Sequence, residues 1–333
     1  MIQRQWNREG LSLQDTFFET SLEPIFWVDK ANKSHKVTGQ KAIIDRTTGN
    51  SISVVSSQYN FVRNIEAYEI ADFIVRRVFE GMTLQQFECY NVYMPQSKGS
   101  CRIDLIIPYS KDNPFADKKD TWTPFIRISN SYNRTLVLKY EIGFCRWICK
   151  NGVIFGQKGI TISINHSERI DYRRIQYEIE HMENVIGVQS LMSLFLEKMD
   201  RLKSLELPES IALQMYCRAF GIKVDKDKVS LRQREVLGQS AKRIVDAAKE
   251  YFAEMGNNAY AIFNVLSDFA SFPVAYGHQS IFIHGLQRKV GLWADELIQE
   301  AKKADFSLYK YIGEEAMNTA FFLESLIKNE TGK

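Results

Sequence analysis

The chain lacks any stretch near the roughly 20 consecutive apolar residues that cross a bilayer, and its opening MIQRQWNREGLSLQD holds no apolar core of signal-peptide length. Neither a membrane span nor a secretory leader is expected, and the cytoplasm is the expected compartment. Cysteine is scarce. Cys89, Cys101, Cys145, Cys149 and Cys217 form an odd set in 333 residues, which argues against a secreted disulfide framework and for reduced thiols. Cys145 and Cys149 are four apart, but no second Cys or His pair follows at zinc-ligand spacing, so no metal is expected.

Catalytic signatures are missing too. GVIFGQKGIT falls short of the GxxxxGK[ST] phosphate loop, because Lys158 lies six residues after Gly152 and Gly156 sits one step early. His278 and His284 are six apart without the HExxH arrangement, and no serine stands in a GxSxG context. Glu178, Glu180 and Glu183 lie among Arg173, Arg174 and Lys198, the alternating pattern of a solvated helical face. Nothing selects a catalytic residue or a cofactor, and a non-catalytic role is expected. No period of 20 to 50 residues recurs, which excludes a solenoid.

What the chain has is ordinary globular composition, 45% hydrophobic and 25% charged. The pattern along it divides in two. Residues 1–165 read as an α+β domain with three β-hairpins and one inserted helix: KAIID and SISVVS around RTTGN, FECYNVYM and SCRIDLIIP around PQSKG, and a third hairpin turning at NSYNR. Between the first two, NIEAYEIADFIVRRVFEG spaces Ile70, Ala71, Ile74, Val75 and Val78 as an amphipathic helix, with Asn64 as N-cap and Gly81 as stop. Residues 166–333 read as a helical domain: a long helix broken near Gly187, one from Pro208 to Gly221, another over VSLRQREVLGQSAKRIVDAAKEYFAEM, an apolar one ended by Pro273, and two more to the end. Strands followed by helices without alternation imply α+β with an antiparallel sheet of hairpins packed on a helix, followed by a mostly helical C-terminal region.

Charge is nearly balanced overall, at a formal +3, yet it is concentrated. Between Thr121 and Ile160 stand Arg127, Arg134, Lys139, Arg146, Lys150 and Lys158 against the single acid Glu141. In the third hairpin Leu136, Leu138, Tyr140, Ile142 and Phe144 share one parity, which places Arg127 and Lys139 on the face away from the core. Those six cations are expected to contact phosphates, with Tyr132 at the turn and Trp147 beside Arg146 stacking on unpaired bases. Asn130 and Asn133 are expected in the hairpin turn, and Asn151-Gly152 in a tight turn of positive φ.

Three segments, VVSSQYNFVRNIEAYEIADFIV, SNSYNRTLVLKYEIGFCRWICKNGVIF and NAYAIFNVLSDFASF, resemble the blocks of the phage/plasmid-like protein family, whose function is unknown. The resemblance rests on an N-S-x-[DN] turn (Asn130, Ser131, Asn133) and an R-x-x-C-x-N-G element (Arg146, Cys149, Asn151, Gly152). It implies a setting of mobile elements, and the outline is similar to single-strand annealing proteins of the RecT and Redβ kind. The expected function is single-stranded DNA binding or annealing by a homo-oligomer. The alternative is a protein-binding module that docks on a host factor such as a defence nuclease, using aromatic clusters such as Tyr309, Tyr311, Phe321 and Phe322.

Overall fold

The computed structural model describes residues 11–79, 81–108, 122–146, 151–154, 160–168, 172–181, 187–276 and 285–331, and the fold is α+β with antiparallel sheets and a helical C-terminal region. A three-stranded sheet comes first: β1 (Thr20–Val28), β2 (Ser34–Asp45) and β3 (Ser51–Ser56), all antiparallel. The RTTGN turn closes as expected, because Asp45 Oδ1 accepts from the Thr47 amide at 2.9 Å while Gly49 adopts φ +73. The sequence reading missed β1, and it missed the first half of β2.

Helix α1 (Asn64–Val78) buries Ala67, Ile70, Ala71, Ile74, Val75 and Val78, spaced three and four apart on one stripe. Asn64 is its first turn rather than its cap: the side chain is buried, donating to Thr16 O and accepting from Asn130 Nδ2.

The larger sheet contains β4 (Glu88–Tyr93), β5 (Ser100–Ile106), β6 (Trp122–Ser131) and β7 (Leu138–Arg146) in order, after which β8 (Gly152–Val153) and β9 (Thr161–Ile164) both pair with β7. One face carries Ile103, Leu105, Ile126, Ile128, Leu138, Tyr140, Ile142 and Phe144 into the main core, the parity expected for the third hairpin. Gly143 lets β8 approach β7. A Cβ there would sit 2.5 Å from the Val153 carbonyl oxygen and 2.6 Å from the Phe125 ring.

The helices are α2 (Tyr172–His181), α3 (Val188–Ser204), α4 (Ala212–Phe220), α5 (Leu231–Met255), α6 (Ala259–Ser271), α7 (Leu286–Glu300), α8 (Leu308–Ile312) and α9 (Glu314–Thr331). Their punctuation is local chemistry. Gly187 caps the start of α3, Gly221 ends α4 at φ +65, Ser230 Oγ accepts from the Gln233 amide at the start of α5, and Asn258 Oδ1 accepts from the Ala261 amide at the start of α6. Helix α6 is buried from Ala259 to Ala270, the mark of a helix surrounded by protein.

Sheet and helices share one core. Phe144 stacks on Phe195 of α3 at 4.4 Å, and Trp122 Nε1 donates to Tyr260 Oη of α6 at 2.9 Å. The division expected after residue 165 marks where strands give way to helices, and the apolar cluster runs through it.

Candidate nucleic-acid interface

The third hairpin is basic, but its cations do not project together. Arg127 is buried, and its guanidinium donates to both oxygens of Asp104 at 2.7 and 2.9 Å and to Gln287 Oε1 at 2.5 Å. Lys139 is partly buried and pairs with Glu141 at 2.7 Å. Arg146 is buried and reaches Glu254 of α5 at 3.2 Å, a carboxylate of the helical half. Arg134 alone of the described four is exposed, at φ +64 in the turn. Trp147, Lys150 and Lys158 lie outside the described residues.

The expectation of a solvated basic face is therefore corrected for Arg127, Lys139 and Arg146. The parity was right for Arg127 and Lys139, which face away from the main core, whereas Arg146 shares the parity of Phe144 and lies on the side of Trp122 and the helices. That second face is itself covered: Asp104 of β5 compensates Arg127, and Glu141 of the same strand compensates Lys139. Tyr132, expected to stack on bases, is a core residue: its ring meets Phe18 and Phe61, and its hydroxyl accepts from the Asn64 amide at 3.0 Å. A base cannot reach it.

The turn residues divide. Asn133 Oδ1 accepts from the Thr135 amide and hydroxyl, as a turn asparagine does, whereas Asn130 is buried in β6 and donates to Val62 O and Asn64 Oδ1. Asn151-Gly152 is not a positive-φ turn. Gly152 pairs with Cys145 across β8, and Asn151 is buried, donating to Tyr251 Oη at 2.8 Å. The asparagine is needed here for its amide, which ties the end of the sheet to α5.

Two register rows cross the covered face. Asn91, Asp104, Arg127, Glu141 and Thr161 are successive partners, and one step along lie Tyr93, Arg102, Ser129, Lys139 and Ser163. Register partners share a face, so each row is a line of neighbours. From α7, Gln287 meets Arg127 while Arg288 reaches Glu141 at 3.1 Å and Thr161 Oγ1 at 3.3 Å. Burial raises the Asp104 carboxyl, but the Arg102 and Arg127 guanidiniums outweigh it and hold the group below its ordinary value.

Thiol chemistry finds no support among the described cysteines: burial pushes Cys89 up to about 11 and both Cys101 and Cys217 up to about 12, so they stay protonated near neutrality. Among the described residues no group of three His, Cys, Asp or Glu side chains is placed to hold a metal ion.

An exposed apolar and basic surface lies elsewhere. Beyond Pro24 on β1 and before Gln40 on β2, the hairpin leaves the sheet as a two-stranded ribbon, since β3 pairs β2 only from Gln40 to Ile44. Three of its apolar side chains are bare, Phe26 and Trp27 each 54% exposed and Val28 59%, while Ile25 and Val37 are half-buried. Phe26 pairs with Lys36 on one face, and Trp27 stacks on His35 at 4.6 Å on the other. Lys30, Lys33 and Lys36 stand against the single acid Asp29, whose carboxylate is engaged by His35 at 2.7 Å, and Lys41 follows where the sheet begins. Apolar rings, lysines and two open faces share one projecting element. Only its composition signalled it, because neither face alternates with a buried one.

The fold thus defines an α+β protein whose main core joins sheet and helices, with a closed polar sheet face and a solvent-borne ribbon. Residues 51–271, about two thirds of the chain, match the family described as Domain of unknown function (DUF932), and the chain belongs to that family. Comparison with curated proteins and with solved structures gave no match. The matched segment takes in β3 through α6, while the ribbon and α7 to α9 lie outside it.

Proposed function

We propose that the chain is a non-catalytic nucleic-acid-binding protein of the phage and plasmid kind, which holds single-stranded DNA on the β1–β2 ribbon and acts in replication or recombination. The observation that carries this reading is the ribbon itself. A two-stranded hairpin without a packed face is marginal in water, so one that exposes Phe26, Trp27 and Val28 on both sides suits a partner that covers it. Trp27, already flat against His35, is a ready platform for an unpaired base, and the surrounding lysines match a phosphate backbone. The resemblance in outline to annealing proteins of the RecT and Redβ kind supports the same reading. So do the open edges of the ribbon, where a second copy could add a strand.

Fluorescence anisotropy with a labelled single-stranded oligonucleotide at several salt concentrations tests it. The wild type binds with a steep salt dependence. Replacing Lys33→Gln together with Lys36→Gln flattens the slope of log K against log salt by about 1.4 if both touch phosphate. Trp27→Ala weakens binding by about 1–3 kcal/mol per stacked base. Anisotropy that stays flat at every salt concentration sinks the proposal. It would instead favour docking on a host protein, for which α8 and α9 offer Tyr309 and Phe321, 74% and 57% exposed, while Tyr311 is buried.

A further inference from the structure

Arg102 lies on β5 in the covered face of the larger sheet and is 2% exposed. Its guanidinium has five N–H donors, of which the Nε and both Nη1 hydrogens, three in all, have no hydrogen-bond partner. The one charged contact is Nη2 to Asp104 Oδ2 at 3.3 Å. Asp104 has little left to offer, because it already takes two short bonds from Arg127 and a 3.4 Å contact from Asn91 Nδ2. Glu141, the other carboxylate of this face, serves both Lys139 and Arg288. Four cations therefore share two carboxylates. An arginine cannot escape by losing its proton, and a buried cation without full compensation is strongly unfavourable.

The row that holds Arg102 has no acid in it. From β4 to β9 it runs Tyr93, Arg102, Ser129, Lys139, Ser163: hydroxyl, guanidinium, hydroxyl, ammonium, hydroxyl. The next row, with Asp104, Arg127 and Glu141, alternates in sign. Arg102 and Lys139 are two strand spacings apart, about 10 Å between backbones, with only the short Ser129 side chain between them. The row is closed at Arg102 and opens to solvent at its far end, where Lys139 is 29% exposed and Ser163 is exposed.

We infer that this face carries an anion-binding site, centred on Arg102 and flanked by Ser129 and Lys139, for a compact oxyanion of the phosphate or carboxylate class. The anion supplies the acceptors that Arg102 lacks, takes a hydroxyl donor from Ser129 and draws on the Lys139 charge. The site is independent of the ribbon and of what the ribbon binds.

The test is thermal unfolding of the full chain in sodium phosphate or sodium acetate, against sodium chloride at equal ionic strength. The wild-type midpoint rises and saturates with the bound anion, and the anion that half-saturates at lower concentration names the class. Arg102→Met removes the saturable rise and leaves only the gradual one that any surface-excluded salt gives. In chloride it melts no lower than wild type, because an apolar side chain replaces an uncompensated cation. Lys139→Met, at a partly exposed position, raises the half-saturating concentration at least tenfold and gives the answer even if the Arg102 variant folds poorly. The ribbon variants keep the wild-type anion response, which separates this site from the DNA reading. The inference is overturned if the wild type shows no saturable rise with either anion, or if Arg102→Met retains it.

Discussion

Asp104 accepts from Arg127 at both oxygens and lies 3.3 Å from Arg102, so one carboxylate stands between two buried guanidiniums. Removing one partner of a buried pair leaves the other charge stranded, which costs about 3–5 kcal/mol, whereas the same loss at an exposed pair is close to zero. Asp104→Asn is accordingly expected to lower the unfolding free energy by an amount in that range, read as a lower urea midpoint with the slope unchanged. Arg134→Gln, an exposed turn residue, is expected to stay within about 0.5 kcal/mol of wild type. Equal effects of the two substitutions would show that the buried row is not held by charge. The contrast also explains the limit of reading charge by counting. A window from 121 to 160 sees six cations and one acid, but the partners of Arg127 and Arg146 are Asp104, Gln287 and Glu254, which the fold brings in from far outside it.

Elements were legible wherever one face of a segment is buried. The stripe of α1, the alternation of β7 and the breaks at Gly187 and Gly221 follow from short-range chemistry and were placed from residue types alone, whereas the caps Ser230 and Asn258 were not named from the sequence. The ribbon was not legible for the opposite reason. Its strands have no buried side to impose a period of two, Pro24 interrupts β1, and a register shift follows between Pro24 and Phe26. Backbone amides there are protected only by each other. We expect the amides of residues 26–36 to exchange with deuterium much faster than those of β6, and to slow when an oligonucleotide is added. Slow exchange in the free protein would mean that the ribbon is already covered, and the DNA reading would lose its basis.

At the scale of the molecule, one apolar cluster takes in residues on both sides of the point where the sequence pattern changes. A change from strand to helix period near residue 165 is real, but a period reports only which side of an element is apolar and not which element it meets. The core joins the halves through Phe144 and Phe195, Trp122 and Tyr260, and Arg146 and Glu254. Unfolding followed by circular dichroism, which weights the helices, and by tryptophan emission, to which Trp122 between sheet and helices contributes, is therefore expected to give one coincident transition. Two separated transitions would restore a two-domain chain.

The close pairing of β8 beside β7 near Gly143 also sets how this sequence can change over time. A methyl group there would press on a backbone oxygen and an enclosed ring, neither of which can swing aside as a long side chain can. Any missense substitution at that codon forces the two strands apart, next to the row that holds Arg127 and Glu141. The position has no neutral neighbours, so a glycine codon is the one that this strand pairing admits there.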